Sequence, residues 1–240
     1  MTLVGKTVIV VGGGSGIGLG IAEAAFKDGA EVVIVGRSQE KLDQALLGLG
    51  SPPQVRAVVA DAVDEVQIQR LFEMVGSFDH LISTAVWAAY QPVREFDIDE
   101  ARRALDAKLI GPLMLVKHGV DRIRVGGSFT FTGGIAADRP GPRASVLAAA
   151  NAGLSGLVRA LALEIAPVRV NLISPGWVDT PIWDTIGGGN KDTILAQMAS
   201  RLPVGRIGSP ADIALAALFL MGSAFTTGET LNIDGGHRLV

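Results

Sequence analysis

A glycine-rich turn between an apolar segment and a helical pattern constrains the fold of this chain more than any other feature. The turn reads Gly12-Gly13-Gly14-Ser15-Gly16-Ile17-Gly18 and follows the apolar residues 7–11. Glycines let the chain reverse tightly and let a phosphate approach the backbone, and the free N–H groups at the start of the helix then face that phosphate. The order of strand, turn and helix predicts a dinucleotide-binding site; the alternative is a turn with a structural role only.

Short apolar segments alternate with helical patterns along the rest of the chain. After the first strand, further strands are predicted at residues 31–35, 55–59, 80–83, 128–132, 168–173 and 229–233. Helices are predicted at residues 17–28, 40–49, 65–75, 99–120, 143–165 and 210–221. Gly111-Pro112, inside the helix at residues 99–120, should bend that helix or end it early. Such alternation is typical of a parallel sheet with helices on both faces. The sequence therefore predicts a single α/β domain over residues 1–240 with a doubly wound sheet.

Composition argues against several classes of partner. The chain contains no cysteine, so disulfides and thiolate catalysis are impossible. Its net charge of -3, without a block of like charges, argues against nucleic acid or an acidic membrane surface as partner. No apolar segment approaches the roughly 18 residues that span a bilayer, so we expect a soluble, cytoplasmic protein without a membrane partner. The mean hydropathy of +0.39 is high for a soluble monomer and favours a homo-oligomer.

A long, mostly irregular segment is predicted at about residues 179–208, with a short helical pattern near residues 192–199. Long loops in compact domains are usually functional, so we interpret this one as a lid over a substrate. The three histidines, His80, His118 and His237, have no spacing typical of metal ligands, and no metal site is predicted.

The end of the second predicted strand, Gly36-Arg37-Ser38, bears on the choice of cofactor. An acidic residue here would bind ribose hydroxyls and repel a 2′-phosphate. A guanidinium suits bidentate contact with phosphate, so Arg37 favours NADP(H) over NAD(H); the alternative is a solvated surface charge. Asp61, after the third strand, is placed either to contact the adenine edge or to cap the following helix.

With these features the chain resembles the short-chain dehydrogenase/reductase superfamily over nearly its whole length. The resemblance rests on the glycine turn, on residues 36–38, on Asp61, on residues 174–181 and on residues 228–236. It implies a seven-stranded Rossmann sheet, commonly a tetramer or a dimer, and hydride transfer between NADP(H) and a small-molecule carbonyl or alcohol. The residues expected at the cofactor are Gly12, Gly14, Ser15, Gly16, Ile17, Gly18, Arg37, Ser38, Asp61, Ala62, Ser83, Thr84, Ala85, Pro175, Gly176, Val178 and Thr180.

Four positions depart from the family pattern. The catalytic serine aligns with Gly134, the tyrosine with Leu147, the lysine with Asn151 and the supporting asparagine with Lys108. The resemblance thus implies a divergent member without the usual Asn-Ser-Tyr-Lys tetrad. A leucine side chain cannot donate the proton that carbonyl reduction requires, so another donor is needed.

Lys108 and Asn151 are the candidate catalytic residues. A buried lysine with a lowered pKa can donate a proton, and an amide can hold a hydroxyl of the cofactor ribose or of the substrate. The alternatives are a lysine that reaches solvent or pairs with a carboxylate, and an asparagine that bonds to backbone.

Aromatic residues favour an apolar substrate, because Trp87, Trp177 and Trp183 lie on segments that flank the predicted cleft. Asp138, Arg139 and Arg143 lie in the loop before the next long helix and could bind an anionic substrate or face water.

Three functions therefore remain open. The favoured one is an NADP(H)-dependent oxidoreductase with an altered proton donor, acting on a small apolar carbonyl or alcohol. The second is a catalytically inactive NADP(H)-binding protein, a sensor or an assembly subunit. In the third the glycine turn binds no nucleotide.

Overall fold

The structure is a computed structural model and describes residues 2–186 and 188–240. Within these residues seven strands form one sheet: β1 (Thr7–Val11), β2 (Glu31–Gly36), β3 (Val55–Val59), β4 (Phe78–Ser83), β5 (Ile123–Thr132), β6 (Arg169–Pro175) and β7 (Thr230–Ile233). Neighbouring strands all pair in parallel, in the order β3-β2-β1-β4-β5-β6-β7. The predicted α/β fold with a seven-stranded parallel sheet is confirmed.

Helices connect the strands on both faces of the sheet. The α-helices in the described part of the chain are α1 (Gly16–Lys27), α2 (Gln39–Gly48), α3 (Glu65–Val75), α4 (Ile98–Leu105), α5 (Gly111–Gly119), α6 (Ser145–Glu164), α7 (Ile182–Ile186), α8 (Lys191–Ala199) and α9 (Pro210–Gly222). A π-helical segment, Asp106–Ile110, joins α4 to α5.

The sheet separates two hydrophobic cores. Side chains alternate across a strand, so Val8 and Val10 of β1 enter the core formed with α1, α2 and α9. Ile9 and Val11 enter the core formed with α3, α5 and α6. Because both faces of β1 and β2 are covered, these two strands carry continuous buried apolar runs, at residues 8–11 and 32–35, rather than alternating in polarity.

The order of the strands fixes where a ligand can bind. The chain runs outward from β1 to β3 and then returns across the sheet to begin β4 on the other side of β1. At this reversal of direction, the loops after β1 and β4 separate and leave a crevice at the carboxyl ends of the strands. The glycine turn follows β1 and therefore lines this crevice.

Helix α6 corrects the expectation about apolar segments. It is 20 residues long, and one 18-residue window has a mean hydropathy of 1.6, which is long and apolar enough to cross a bilayer by length and composition alone. The sequence-based estimate missed this because many of its residues are alanines and glycines. Core helices of soluble proteins pass the same test, and α6 packs against the sheet through a buried row: Leu147, Ala150, Asn151, Leu154, Val158, Leu161 and Ala162.

Two other predicted elements differ from the structure. The helix expected at residues 99–120 is interrupted, as Gly111-Pro112 predicts, but by a π-helical segment in which the N–H of Gly111 reaches the carbonyl of Asp106. Pro112 has no N–H to donate to the Lys108 carbonyl, which accounts for the break in the regular ladder. The segment at residues 179–208 contains α8, where the sequence predicts a short helical pattern, and also α7, which the sequence does not predict; its Gly187 lies outside the described residues. The lid function stays a prediction.

Candidate active site

A cleft with a volume of about 1080 Å³ lies at the carboxyl ends of the strands. Every residue predicted to contact the cofactor lines it except Ser83. Ser83 is buried in β4, and its hydroxyl accepts a hydrogen bond from the N–H of Ala85 while its carbonyl accepts one from the Thr132 hydroxyl. The structure therefore does not bring Ser83 to the cleft surface.

The glycines of the turn are needed for steric reasons. A Cβ on Gly12 would collide with the hydroxyl of Thr84, and a Cβ on Gly18 would collide with the carbonyl of Gly12. Gly12 and Gly16 also have φ angles of +82° and +53°, which side-chain-bearing residues rarely adopt. The turn is thus a backbone cradle that a side chain at Gly12, Gly16 or Gly18 would fill or distort.

The start of α1 is open to an anion. Ser15 occupies the N-cap position, but its side chain makes no capping hydrogen bond, and the first turn carries no acidic residue. In α2 and α3, by contrast, Ser38 and Asp64 accept hydrogen bonds from the backbone N–H groups of Lys41 and Gln67. N–H groups at a helix start that lack a side-chain cap are suited to phosphate.

Arg37 lies on an aromatic face at one end of the cleft. Its guanidinium carbon is 5.3 Å from the centre of the Trp87 ring, and that of Arg103 is also 5.3 Å from this ring. The Trp87 indole N–H donates to Glu100 at 2.6 Å, which fixes the ring. Cation–π contact of this kind favours a position of the exposed Arg37 side chain beside the cleft.

Asp61 does not cap the helix that follows it. Its carboxylate accepts a hydrogen bond from the N–H of Val63, and Asp64 is the N-cap residue of α3. Asp61 lines the cleft together with Lys41, a second cation close in sequence to Arg37 that the sequence reasoning did not single out. The spacing of Arg37 and Lys41, one helical turn apart, was the available signal.

Lys108 projects from the π-helical segment into the cleft. Its side chain is 3% exposed, and its Nζ donates to the carbonyl oxygen of Thr132 at 2.6 Å. It forms no ion pair with any residue that the structure describes. Burial lowers the pKa of Lys108 from 10.5 to about 8. Neither alternative from the sequence, a lysine reaching solvent or one paired with a carboxylate, matches this geometry.

Asn151 lies on α6 beside Gly134. A Cβ on Gly134 would be 3.1 Å from Asn151 Nδ2, so the two positions are in direct contact. The Oδ1 atom of Asn151 is buried and has no hydrogen-bond partner within the described chain. Leu147 lines the same cleft. Asn151 is therefore not held by a backbone hydrogen bond through Oδ1, and its amide oxygen is available to a ligand donor.

Aromatic and basic side chains form the opposite end of the cleft. The rings of Trp177 and Trp183 stack with centres 4.4 Å apart, and the ring of His237 meets Trp177 edge-on at 6.4 Å. Arg139 and Arg201 line the cleft at this end as well. Sequence reasoning assigned no role to Arg201 or His237, because their segments are far apart along the chain and no local motif marks them.

Within residues 2–186 and 188–240, no group of three or more histidine, aspartate and glutamate side chains is arranged to hold a metal ion. The imidazole of His118 instead lies 2.8 Å from Glu65 on the protein surface.

Comparison with known proteins agrees with this geometry. The family model described as Enoyl-(Acyl carrier protein) reductase matches residues 11–238. The short-chain dehydrogenase/reductase fsr5 of Gibberella fujikuroi is 31% identical in an alignment of 260 residues that covers 99% of this chain and 96% of that protein.

Two solved structures are similar over nearly the whole chain. The MalC reductase/Diels-Alderase from Malbranchea aurantiaca has a TM-score of 0.92 and 29% identity, covering 99% of this chain and 98% of that one. An NADPH-bound short-chain oxidoreductase from Pseudomonas aeruginosa PAO1 with an atypical catalytic center has a TM-score of 0.90 and 30% identity, covering 97% and 96%. The chain belongs to the short-chain dehydrogenase/reductase family.

Proposed function

We propose that this protein is an NADP(H)-dependent oxidoreductase in which Lys108 replaces the family's tyrosine as proton donor. The single observation that carries the proposal is the buried Lys108 ammonium in the cleft, which is held by the Thr132 carbonyl at 2.6 Å and is not neutralised by a carboxylate. When bound, the cofactor supplies hydride to a carbonyl carbon or accepts it from an alcohol. The remaining chemistry, proton transfer at the oxygen, belongs to the protein.

The residues of the cleft fit the cofactor. Gly12, Gly13 and Gly18 leave no room for a side chain, and the start of α1 lacks a side-chain cap, as a pyrophosphate site requires. Arg37 is suited to a 2′-phosphate, with Lys41 and Arg103 as neighbouring cations. Binding of NADPH by the similar Pseudomonas oxidoreductase supports the same assignment.

Lys108 has the protonation behaviour that a proton donor needs. Because burial lowers the pKa of Lys108 to about 8, the ammonium predominates at neutral pH but gives up its proton far more readily than a surface lysine. A carbonyl oxygen that gains negative charge would take this proton. In the reverse direction the neutral amine would accept the proton of an alcohol.

We propose supporting roles for the other departures from the family pattern. The unpartnered Oδ1 of Asn151 would accept a hydrogen bond from a ribose or substrate hydroxyl. Leu147 has no proton to donate, and with Trp177 and Trp183 it gives the substrate region apolar walls. These walls support a substrate with an apolar body.

Turnover of the Lys108→Met variant tests the proposal. NADPH oxidation is measured with a panel of ketones, aldehydes, quinones and activated alkenes, with Lys117→Met as a control, because Lys117 is an exposed lysine paired with Glu65. Lys108→Met should lower turnover about 10²- to 10⁴-fold, while NADPH binding, followed by fluorescence, stays intact. Carbonyl reduction by the parent protein should fall as pH rises through about 8, the pKa of Lys108.

Lys108→Arg separates charge from proton transfer. Arginine keeps the positive charge but does not release its proton, so this variant should remain slow and lose the decline of activity near pH 8. Full turnover in Lys108→Met would overturn the assignment of Lys108. Tight NADPH binding without turnover of any panel member would favour the second function, a catalytically inactive cofactor-binding protein. The homo-oligomer and the cytoplasmic location stay predictions.

A further inference from the structure

Three basic side chains from separate segments meet at the substrate end of the cleft. Arg139 precedes α6, Arg201 follows α8, and His237 begins a short 3₁₀ turn near the C-terminus. His237 is 9% exposed, and its Nδ1 atom is buried without a hydrogen-bond partner in the described chain. A buried ring nitrogen that lacks a partner is unusual in a folded protein and indicates a missing donor or acceptor.

No acidic side chain in the described chain neutralises the corner of the cleft formed by Arg139, Arg201 and His237. Neither Arg139 nor Arg201 forms an ion pair with a residue that the structure describes. The nearby carboxylate of Asp234 already accepts hydrogen bonds from the backbone of Gly236 and from both the backbone and the guanidinium of Arg238. The corner therefore has an excess of positive charge.

The behaviour of the imidazole is consistent with this excess. Burial lowers the pKa of His237, the positive charges of Arg139 and Arg201 lower it further, and the carboxylate of Asp234 opposes them. The ring is accordingly neutral at pH 7 and has one N–H to donate. A neutral imidazole beside two guanidinium groups forms a set of donors without a matching acceptor.

An apolar surface adjoins the donors. The stacked rings of Trp177 and Trp183 lie beside His237, whose ring meets Trp177 edge-on at 6.4 Å. The indole N–H of Trp183 is already bonded to the carbonyl of Val178 at 2.8 Å, so the pair presents ring faces and edges rather than polar groups. A flat, apolar ligand body would contact this surface.

We propose that Arg139, Arg201 and His237 form an oxyanion subsite, and that the substrate is a carbonyl or alcohol compound with a flat apolar body and one anionic group. The inference rests on the proposed function for the reaction and adds the substrate class. A guanidinium group pairs with carboxylate or phosphate oxygens through two parallel N–H donors. The imidazole N–H would donate a further hydrogen bond to the same anion from another side. Anchoring one end of the substrate in this way would restrict the positions that its reacting carbon can adopt.

Binding of three probes with the same ring system tests the subsite. The full chain is titrated with 2-naphthoate, 2-naphthyl phosphate and the neutral 2-naphthalenemethanol, with and without saturating NADPH. At least one anionic probe should bind about tenfold more tightly than the neutral probe, and comparison of the two anions identifies the preferred head group. The imidazole resonances of His237 should show a raised pKa when the anion is bound, while those of His118 serve as an internal control.

Variants that remove the two guanidinium charges test whether Arg139 and Arg201 cause the preference for anionic probes. Arg139→Gln with Arg201→Gln should weaken the preferred anion about tenfold and leave the neutral probe unchanged. The control is Arg122→Gln, since Arg122 is exposed at the amino end of β5, whereas the cleft lies at the carboxyl ends of the strands. Each single variant is measured too, so that misfolding of the double variant does not decide the result.

The outcomes separate this inference from the proposed function. Equal affinities for charged and neutral probes, or equal losses in the Arg122→Gln control, overturn the oxyanion subsite even if the protein reduces carbonyl compounds. Selective anion binding without NADPH turnover leaves the subsite standing and counts against the reductase.

Discussion

Replacing Lys108 by methionine should stabilise the protein while it removes activity. In the folded protein the pKa of Lys108 falls from 10.5 to about 8 because of burial. One pKa unit corresponds to about 1.4 kcal/mol, so the buried ammonium costs about 3 kcal/mol of folding free energy near pH 7. Methionine has a similar shape and no charge, and the lost hydrogen bond to the Thr132 carbonyl subtracts about 1 kcal/mol. The expected gain is therefore about 2 kcal/mol.

The stability difference between Lys108→Met and the parent should change with pH. Below pH 8 the lysine is protonated in both the folded and the unfolded chain, and the parent protein bears the full cost. Between pH 8 and 10.5 the folded protein releases the proton while the unfolded chain keeps it, so the stability of the parent rises with pH. Lys108→Met lacks this rise, so its advantage should shrink above pH 8 and reverse by about 1 kcal/mol near pH 10.5.

Urea denaturation of the two proteins from pH 6 to 10.5 measures the difference directly. Other lysines and the single tyrosine titrate in both proteins, so they cancel in the comparison. Lys117→Met, at an exposed ion pair with Glu65, should change stability by no more than about 1 kcal/mol at any pH. A lower stability of Lys108→Met than of the parent at pH 7 would contradict the predicted cost of the buried ammonium. A difference in unfolding free energy that stays constant from pH 8 to 10 would contradict it as well.

Two further predictions concern the cofactor and acid stability. Arg37→Ala should weaken NADPH about 10- to 100-fold through loss of charge-assisted contacts and leave NADH unchanged; fluorescence titration checks this, and equal affinities for both cofactors in the parent would contradict it. The second concerns His80, whose Nδ1 lies 2.9 Å from the Ser128 hydroxyl. Burial lowers the pKa of His80 to about 4. Because the unfolded imidazole gains its proton first, the parent should lose about 3 kcal/mol between pH 6.5 and 4. In His80→Gln that acid-side loss should be smaller when urea midpoints are compared, and an equal loss would contradict the assignment.

The fold could be predicted from the sequence because its signals are local. The apolar strands and the helical periods between them are each decided within a few residues, and α3 has the predicted bounds, 65–75. The glycine turn could be predicted for the same reason, since its steric demands come from its own backbone and from Thr84. Predictions from local patterns of this kind are more reliable than predictions of contacts between distant segments.

Features that depend on distant contacts could not be predicted in this way. Lys108 is buried because the π-helical segment directs it to the Thr132 carbonyl on β5, 24 residues away. The Gly111-Pro112 pair did signal an interruption of the helix, but not its π-helical form. Arg201 and His237 meet Arg139 only after the chain has folded, so spacing along the sequence carries no trace of their proximity.

The glycine turn at the cofactor region keeps the family pattern, whereas the four catalytic positions depart from it. This difference follows from the composition of each part of the cleft. The cofactor end consists largely of backbone: glycines that exclude side chains and a helix start without a side-chain cap. Such a surface depends on main-chain geometry, which the fold maintains as a whole. The part of the cleft proposed for the chemistry depends instead on single positions: three side chains, at Lys108, Leu147 and Asn151, and the missing side chain at Gly134. Under the proposed function, a chain of this family retains its cofactor cradle while Lys108 takes the place of a tyrosine on α6 as proton donor. The stability cost of that buried lysine is the measurable trace of such a move, because a residue with only a structural role would not be expected to destabilise the fold that contains it.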